Sequence, residues 1–146
     1  MTVHLALRKH DTRASARLIQ LWTGSIYSHC ELLVDGWCYS SSAVDGGVRR
    51  KQISLDPEKW DVMSLPWADS RQVLEFFSET DHYRYGWTGL VLSQLFNLNR
   101  AQDKAQFCSH WCAAALQLPN PATFSPGTLA GICDFIGGLV CKEITA

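Results

Sequence analysis

The sequence has little charge of either sign to spare: Lys and Arg number 13 against 14 Asp and Glu, a net charge of −1 over 146 residues. With no basic excess to neutralise a phosphate backbone, the balance argues against a dedicated nucleic-acid binder. Long apolar runs are also lacking. Stretches such as Leu90 to Leu92 and Ile136 to Val140 fall far short of the ~20 residues a membrane span requires. Met1 to His10 has no apolar stretch followed by a small-residue cleavage site, so the chain is expected to be cytoplasmic at synthesis. It would then reach an outside target as a virion-associated or released protein. No repeat, low-complexity tract or Pro/Gly/Ser linker divides the chain, and residues 1–146 read as a single domain. A Gly-rich phosphate loop is missing too, and no metal or organic cofactor is expected.

What is present is a globular composition, 47% hydrophobic and 18% charged, which disfavours disorder. A chain of this length buries roughly 70% of its unfolded surface. Six cysteines, Cys30, Cys38, Cys108, Cys112, Cys133 and Cys141, read as free thiols in a reducing compartment, most of them small buried hydrophobes.

Alternation of apolar and polar residues predicts strands over Thr2 to Leu7, His29 to Val34, Trp37 to about Ser42, Val48 to Ser54 and Trp60 to Leu65. Asp35-Gly36 between the second and third is a strong hairpin signal, and Asp45-Gly46-Gly47 marks another turn. Helical spacing appears over Asp11 to Trp22, with Asp11 or Thr12 as its cap, and from Asp69-Ser70 to about Thr80. A turn follows at Tyr85 to Thr88, then helices over Leu90 to Phe96, Phe107 to Leu118 and Pro126 to about Ile136. Strands gather early and helices late without regular alternation. The expected class is α+β, an antiparallel sheet packed against helices.

The chemistry-bearing segments are Phe107-Cys108-Ser109-His110-Trp111-Cys112 and Ser28-His29-Cys30-Glu31. The helix is expected to begin at or just before Cys108, facing a cleft, where the positive end of the macrodipole favours a thiolate. The segment alone leaves two readings of Cys108 open, a packed thiol and an activated one. Cys112, one turn on, reads as core, and His110 as surface. The Cys108–Cys112 spacing is too wide for a zinc knuckle, and no second pair completes one. On a strand, His29 and Glu31 share one face while Cys30 and Leu32 take the other. A half-exposed polar face explains that pattern, and so does a histidine oriented by a carboxylate as a general base. Cys108 on a helix start with His29 on a strand has the spatial logic of cysteine hydrolases.

Ser28-His29-Cys30-Glu31, the Asp35-Gly36 turn, Tyr85-Gly86-Trp87-Thr88-Gly89 and Phe107-Cys108-Ser109-His110-Trp111 together resemble the circularly permuted branch of the NlpC-type papain-like superfamily. That branch holds YiiX/YaeF-like proteins and relatives of lecithin retinol acyltransferase, with the histidine strand ahead of the cysteine helix. The resemblance covers roughly Thr23 to Ile132, although Gly86 stands where the family's aromatic-Asp-aromatic-x-Gly turn has its acid. It implies a papain-like fold, with His29 as base and Cys108 as nucleophile. The third polar residue belongs on the strand after the histidine, which here offers only Ser40, Ser41 and Ser42. Glu31 is therefore taken as the orienting group with Ser41 behind it, although an i,i+2 neighbour looks poorly placed to reach the far ring nitrogen.

The resulting expectation is a cysteine amidase or endopeptidase working through an acyl-enzyme, on a peptide or peptidoglycan fragment of the bacterial cell wall. The alternatives are a lipid or thioester acyltransferase, and a binding or phage structural protein that has lost the chemistry.

Overall fold

The computed structural model describes residues 1–9, 13–85 and 105–144. Among the described residues seven strands form one sheet: β1 (Val3–Arg8), β2 (His29–Val34), β3 (Trp37–Ser42), β4 (Gly47–Lys51), β5 (Trp60–Leu65), β6 (Arg84–Tyr85) and β7 (Ala105–Gln106). The order is β5-β1-β2-β3-β4-β6-β7, antiparallel throughout except for the final β6–β7 pair. The helices are α1 (Ala14–Thr23), α2 (Ser70–Thr80), α3 (Cys108–Ala115) and α4 (Pro126–Ile144), with a 3-10 turn at Pro121–Thr123. The class is α+β. Among the described residues no helix is long and apolar enough to cross a membrane.

The β2–β3 hairpin closes through Asp35 and Gly36 at φ 49° and 78°, the double left-handed turn that an Asp-Gly pair favours. Its ladder runs from Val34↔Trp37 to Leu32↔Tyr39, and beyond that Ser40 Oγ donates to the Cys30 carbonyl at 2.7 Å. α2 starts where Asp69 accepts the Arg71 amide at 2.9 Å, a side-chain cap. Against one face of the sheet lies a core of Leu5, Leu7, Cys30, Leu32, Val73, Trp111, Cys112 and Leu129. Trp111 anchors it: the indole is fully buried, donates to Thr80 Oγ1 at 2.9 Å and packs on Phe76 and Phe77.

Three expectations need correction. His110 is buried, not on the surface, because α3 is wrapped on its far side by the Pro121–Thr123 turn and α4. Ser109 Oγ donates to the Phe124 carbonyl at 2.5 Å, and the His110 ring meets Phe107 edge-on at 5.4 Å. α4 continues to Ile144 and does not stop near Ile136. Its glycines 137 and 138 avoid the left-handed conformation that ends helices, so each weakens the helix without terminating it. β4 is shorter than expected, ending at Lys51. The expected helix over Leu90 to Phe96, the cap at Asp11 or Thr12, and the Tyr85 to Thr88 turn past its first residue lie outside the described residues.

Candidate active site

His29 opens β2 at the point where that strand parts from β3, and Cys108 opens α3. Phe107, extended at φ −97° and ψ 170°, caps α3, and its carbonyl accepts the Trp111 amide at 2.9 Å. The two residues, 79 positions apart in sequence, pair side chain to side chain: the His29 ring hydrogen-bonds the Cys108 sulfur. The other partner of the ring is Glu31, whose Oε1 lies 2.7 Å from His29 Nε2. That leaves Nδ1 as the ring nitrogen for the thiol. Same-face residues two apart on a strand are roughly 7 Å apart, a gap that outstretched His and Glu side chains close. The i,i+2 contact expected to be difficult is therefore made.

Glu31 departs from the half-exposed face expected for it, since its side chain has no exposed surface while that of His29 is 21% exposed. Arg49 on β4 makes this burial tolerable. Its Nη1 and Nη2 donate to Oε2 and Oε1 of Glu31 at 2.6 and 2.5 Å, and its Nε donates to Asp45 at 2.9 Å. Ser40 stands opposite Arg49 in the β3–β4 register, and its small side chain leaves room for the pair to meet across β3.

The charges settle accordingly. Burial by itself would lower the His29 pKa, but the charges on Cys108 and Glu31 and the hydrogen bonds to both raise it to about 10. The Cys108 thiol is held well below its ordinary value. A hydrogen bond from the Cys30 thiol and the His29 charge outweigh its burial, and the Cys30 backbone amide adds a further donor. Burial pushes Glu31 upward, yet the Arg49 hydrogen bonds and the His29 charge leave it lowered overall. All three shifts favour the charged forms, a thiolate at Cys108, an imidazolium at His29 and a carboxylate at Glu31.

Cys108 is 3% exposed and belongs to the hydrophobic core, where a cleft residue supporting little core was expected. A cleft of about 400 Å³ adjoins the site on the His29 side, lined by His29, Glu31, Tyr85, Trp60 and several charged side chains but not by Cys108. Trp60, Arg8 and His29 lie in one cross-strand row, with the Arg8 guanidinium 5.7 Å above the Trp60 ring and the His29 ring edge-on to it at 6.4 Å. Tyr85 is placed by Gly47, which meets Arg84 so closely that a Cβ there would lie 2.1 Å from the Tyr83 carbonyl. Burial and the neighbouring Cys108 and Cys30 sulfurs raise the Tyr85 pKa. Ser40 and Ser41, on the next strand, are fully buried.

The structure thus brings Cys108, His29 and Glu31 together. Arg49, Tyr85 and Cys30 were not singled out as parts of the site from the sequence. Arg49 carries no local signal, since its link to Glu31 exists only once β2, β3 and β4 lie side by side. No family model, curated protein or solved structure matches this chain.

Proposed function

We propose that the protein is a papain-like cysteine hydrolase, an amidase or endopeptidase that forms an acyl-enzyme on Cys108. The observation that carries this reading is the double engagement of His29, with the Cys108 sulfur at one end of the ring and Glu31 Oε1 at 2.7 Å on the other. A buried carboxylate anchored by arginine and aimed at an imidazole is costly to build for packing alone. Such a carboxylate fixes the tautomer and holds the ring charge.

In this mechanism the Cys108 thiolate attacks the carbonyl carbon of an amide. The Cys108 backbone N–H, at the first position of α3, is a donor for the developing oxyanion. His29 then gives its Nδ1 proton to the leaving amine, and afterwards takes a proton from the water that releases the acyl group. The cleft wall supports a polar substrate over a fatty acyl chain, because Arg8, Arg13, Asp45, Arg49 and Lys51 contribute to it. A bacterial cell-wall peptide has the matching polarity.

A panel of muropeptides, generic peptide amides and short-chain phospholipids and thioesters tests the reading with wild type and Cys108→Ser. Release of an amine from a peptide member, lost in the variant, is the expected result. Consumption of lipid or thioester alone would transfer the site to acyl transfer. Identical behaviour of the two proteins on every member would leave a binding module.

A further inference from the structure

A thiol cluster lies beneath the His29–Glu31 pair, and amide hydrolysis makes no use of it. Cys30, Cys108 and Cys112 are all buried. The Cys30 thiol hydrogen-bonds the Cys108 sulfur on one side and Cys112 on the other. Cys112 Sγ also lies 3.8 Å from the Cys30 carbonyl and 4.0 Å from Ser40 Oγ, so that thiol has oxygen acceptors in reach. Cys30 is therefore the thiol held against the nucleophilic sulfur, on a strand, with its own backbone N–H turned to the same atom. Cys112, one turn along α3 from Cys108, meets the Cys30 carbonyl at 3.8 Å, so β2 and the start of α3 are already packed together where the two thiols would join.

We propose that Cys108 and Cys30 form a reversible oxidative modification site, in which a hydroperoxide oxidises Cys108 and Cys30 resolves it as an intrachain disulfide. In the first step the Cys108 thiolate attacks the terminal peroxide oxygen. The O–O bond breaks, and the leaving alkoxide or hydroxide takes the proton from the His29 imidazolium, giving a Cys108 sulfenic acid and an alcohol or water. In the second step the Cys30 sulfur, giving its proton to the now neutral His29, attacks the Cys108 sulfur. The S–O bond breaks and hydroxide leaves, recovering that proton as water. Two thiols lose two electrons and one peroxide gains two.

The order of steps follows from the electrostatics. While Cys108 is a thiolate, its charge and hydrogen bond, together with burial, keep the Cys30 thiol protonated and inert. Oxidation of Cys108 to a neutral sulfenic acid removes that charge, so Cys30 becomes a nucleophile only when there is something to resolve. His29, the partner of Cys108, lines the cleft, and the cross-link withholds Cys108 from any other substrate.

The test is stoichiometric hydrogen peroxide added to the reduced full-length protein at neutral pH, followed by intact mass and non-reducing peptide mapping. The expected product has lost two hydrogens, joins the Cys30 and Cys108 peptides, and returns to the starting mass with dithiothreitol. Cys30→Ala should instead accumulate a dimedone-reactive Cys108 that advances to the sulfinic acid with further peroxide. Cys112→Ala should form the cross-link as wild type does, which guards against a Cys30 variant that fails to fold. Direct passage of wild-type Cys108 to the sulfinic acid, a disulfide joining other cysteines, or no oxidation at all would each overturn the proposal. The readout is mass, so it succeeds or fails whether or not Cys108 hydrolyses an amide.

Discussion

Arg49 holds Glu31 with both ends of its guanidinium, at 2.6 and 2.5 Å, and the oxygen that meets Nη2 also meets His29 Nε2 at 2.7 Å. Groups of opposite sign therefore adjoin from the exposed Asp45 through Arg49 and Glu31 to His29. Glu31 is tolerated in full burial because both of its neighbours are cationic groups.

Arg49→Met keeps most of the side-chain bulk and removes its charge. Glu31 is left buried with His29 as its cationic partner, and a loss of about 3–5 kcal/mol is expected, the usual cost of halving a buried pair. Urea unfolding at neutral pH measures it. Wild-type stability in this variant would show that the pair supports nothing.

Glu31→Gln withdraws one of the charges that hold the His29 proton, so the imidazole should titrate below the value of about 10 it has in wild type. The ring-carbon shift of His29 in NMR reports the midpoint. Peptide turnover should fall less in this variant than in His29→Ala, where loss of the acid and base should cost roughly 10²–10⁴-fold.

Iodoacetamide should modify Cys108 before any other cysteine. Burial raises Cys38 to about 11 and Cys133 to about 12, and Cys30 well above its usual value. The rate should change little between pH 8 and pH 6, where an ordinary thiol loses roughly 75-fold of its thiolate. Parallel loss of rate with falling pH would mean that Cys108 rests as a thiol.

His110 is buried and its pKa is lowered by that burial to about 4. The unfolded chain takes up this proton from near pH 6.5 downward and the folded chain only near 4, so stability is full above 6.5 and declines as pH falls toward 4. The decline should be on the order of 3 kcal/mol. Urea midpoints at pH 7 and 4.5 should differ less in His110→Phe than in wild type, the Glu31 contribution being common to both.

Gly47→Ala should displace β6, because the new Cβ would stand 2.1 Å from the Tyr83 carbonyl and backbone must move to admit it. Overpacking of this kind costs about 1–3 kcal/mol. Turnover should drop beyond what stability explains, as Tyr85 moves with the strand beside Cys108. Unchanged kinetics would remove Tyr85 from the account.

Local rules made much of this legible. Period-two alternation located β1, β2, β3 and β5, the Asp-Gly pair located the hairpin, and the position of Cys108 at the start of α3 followed from the polar sequence Ala101 to Gln106, which lacks an apolar stripe. What local rules cannot reach is the neighbour two strands away. Glu31 and His29 share a face in any strand, but only the β2-β3-β4 order brings Arg49 to them and makes burial of the carboxylate possible. His110 failed for the related reason that an outward position on one helix says nothing of what chain later covers it. Cys30 was assigned to the opposite face from His29, and only the arrival of α3 where β2 and β3 part puts both residues on the Cys108 sulfur.

The most direct test of the account is acid quenching of the wild-type protein during turnover of a peptide amide, then intact mass and peptide mapping. A covalent adduct with the mass of the acyl half of the substrate, on the peptide carrying Cys108 and absent from Cys108→Ser, is the expected result. Amine release with no adduct on Cys108, or at the same rate in Cys108→Ser, would contradict it.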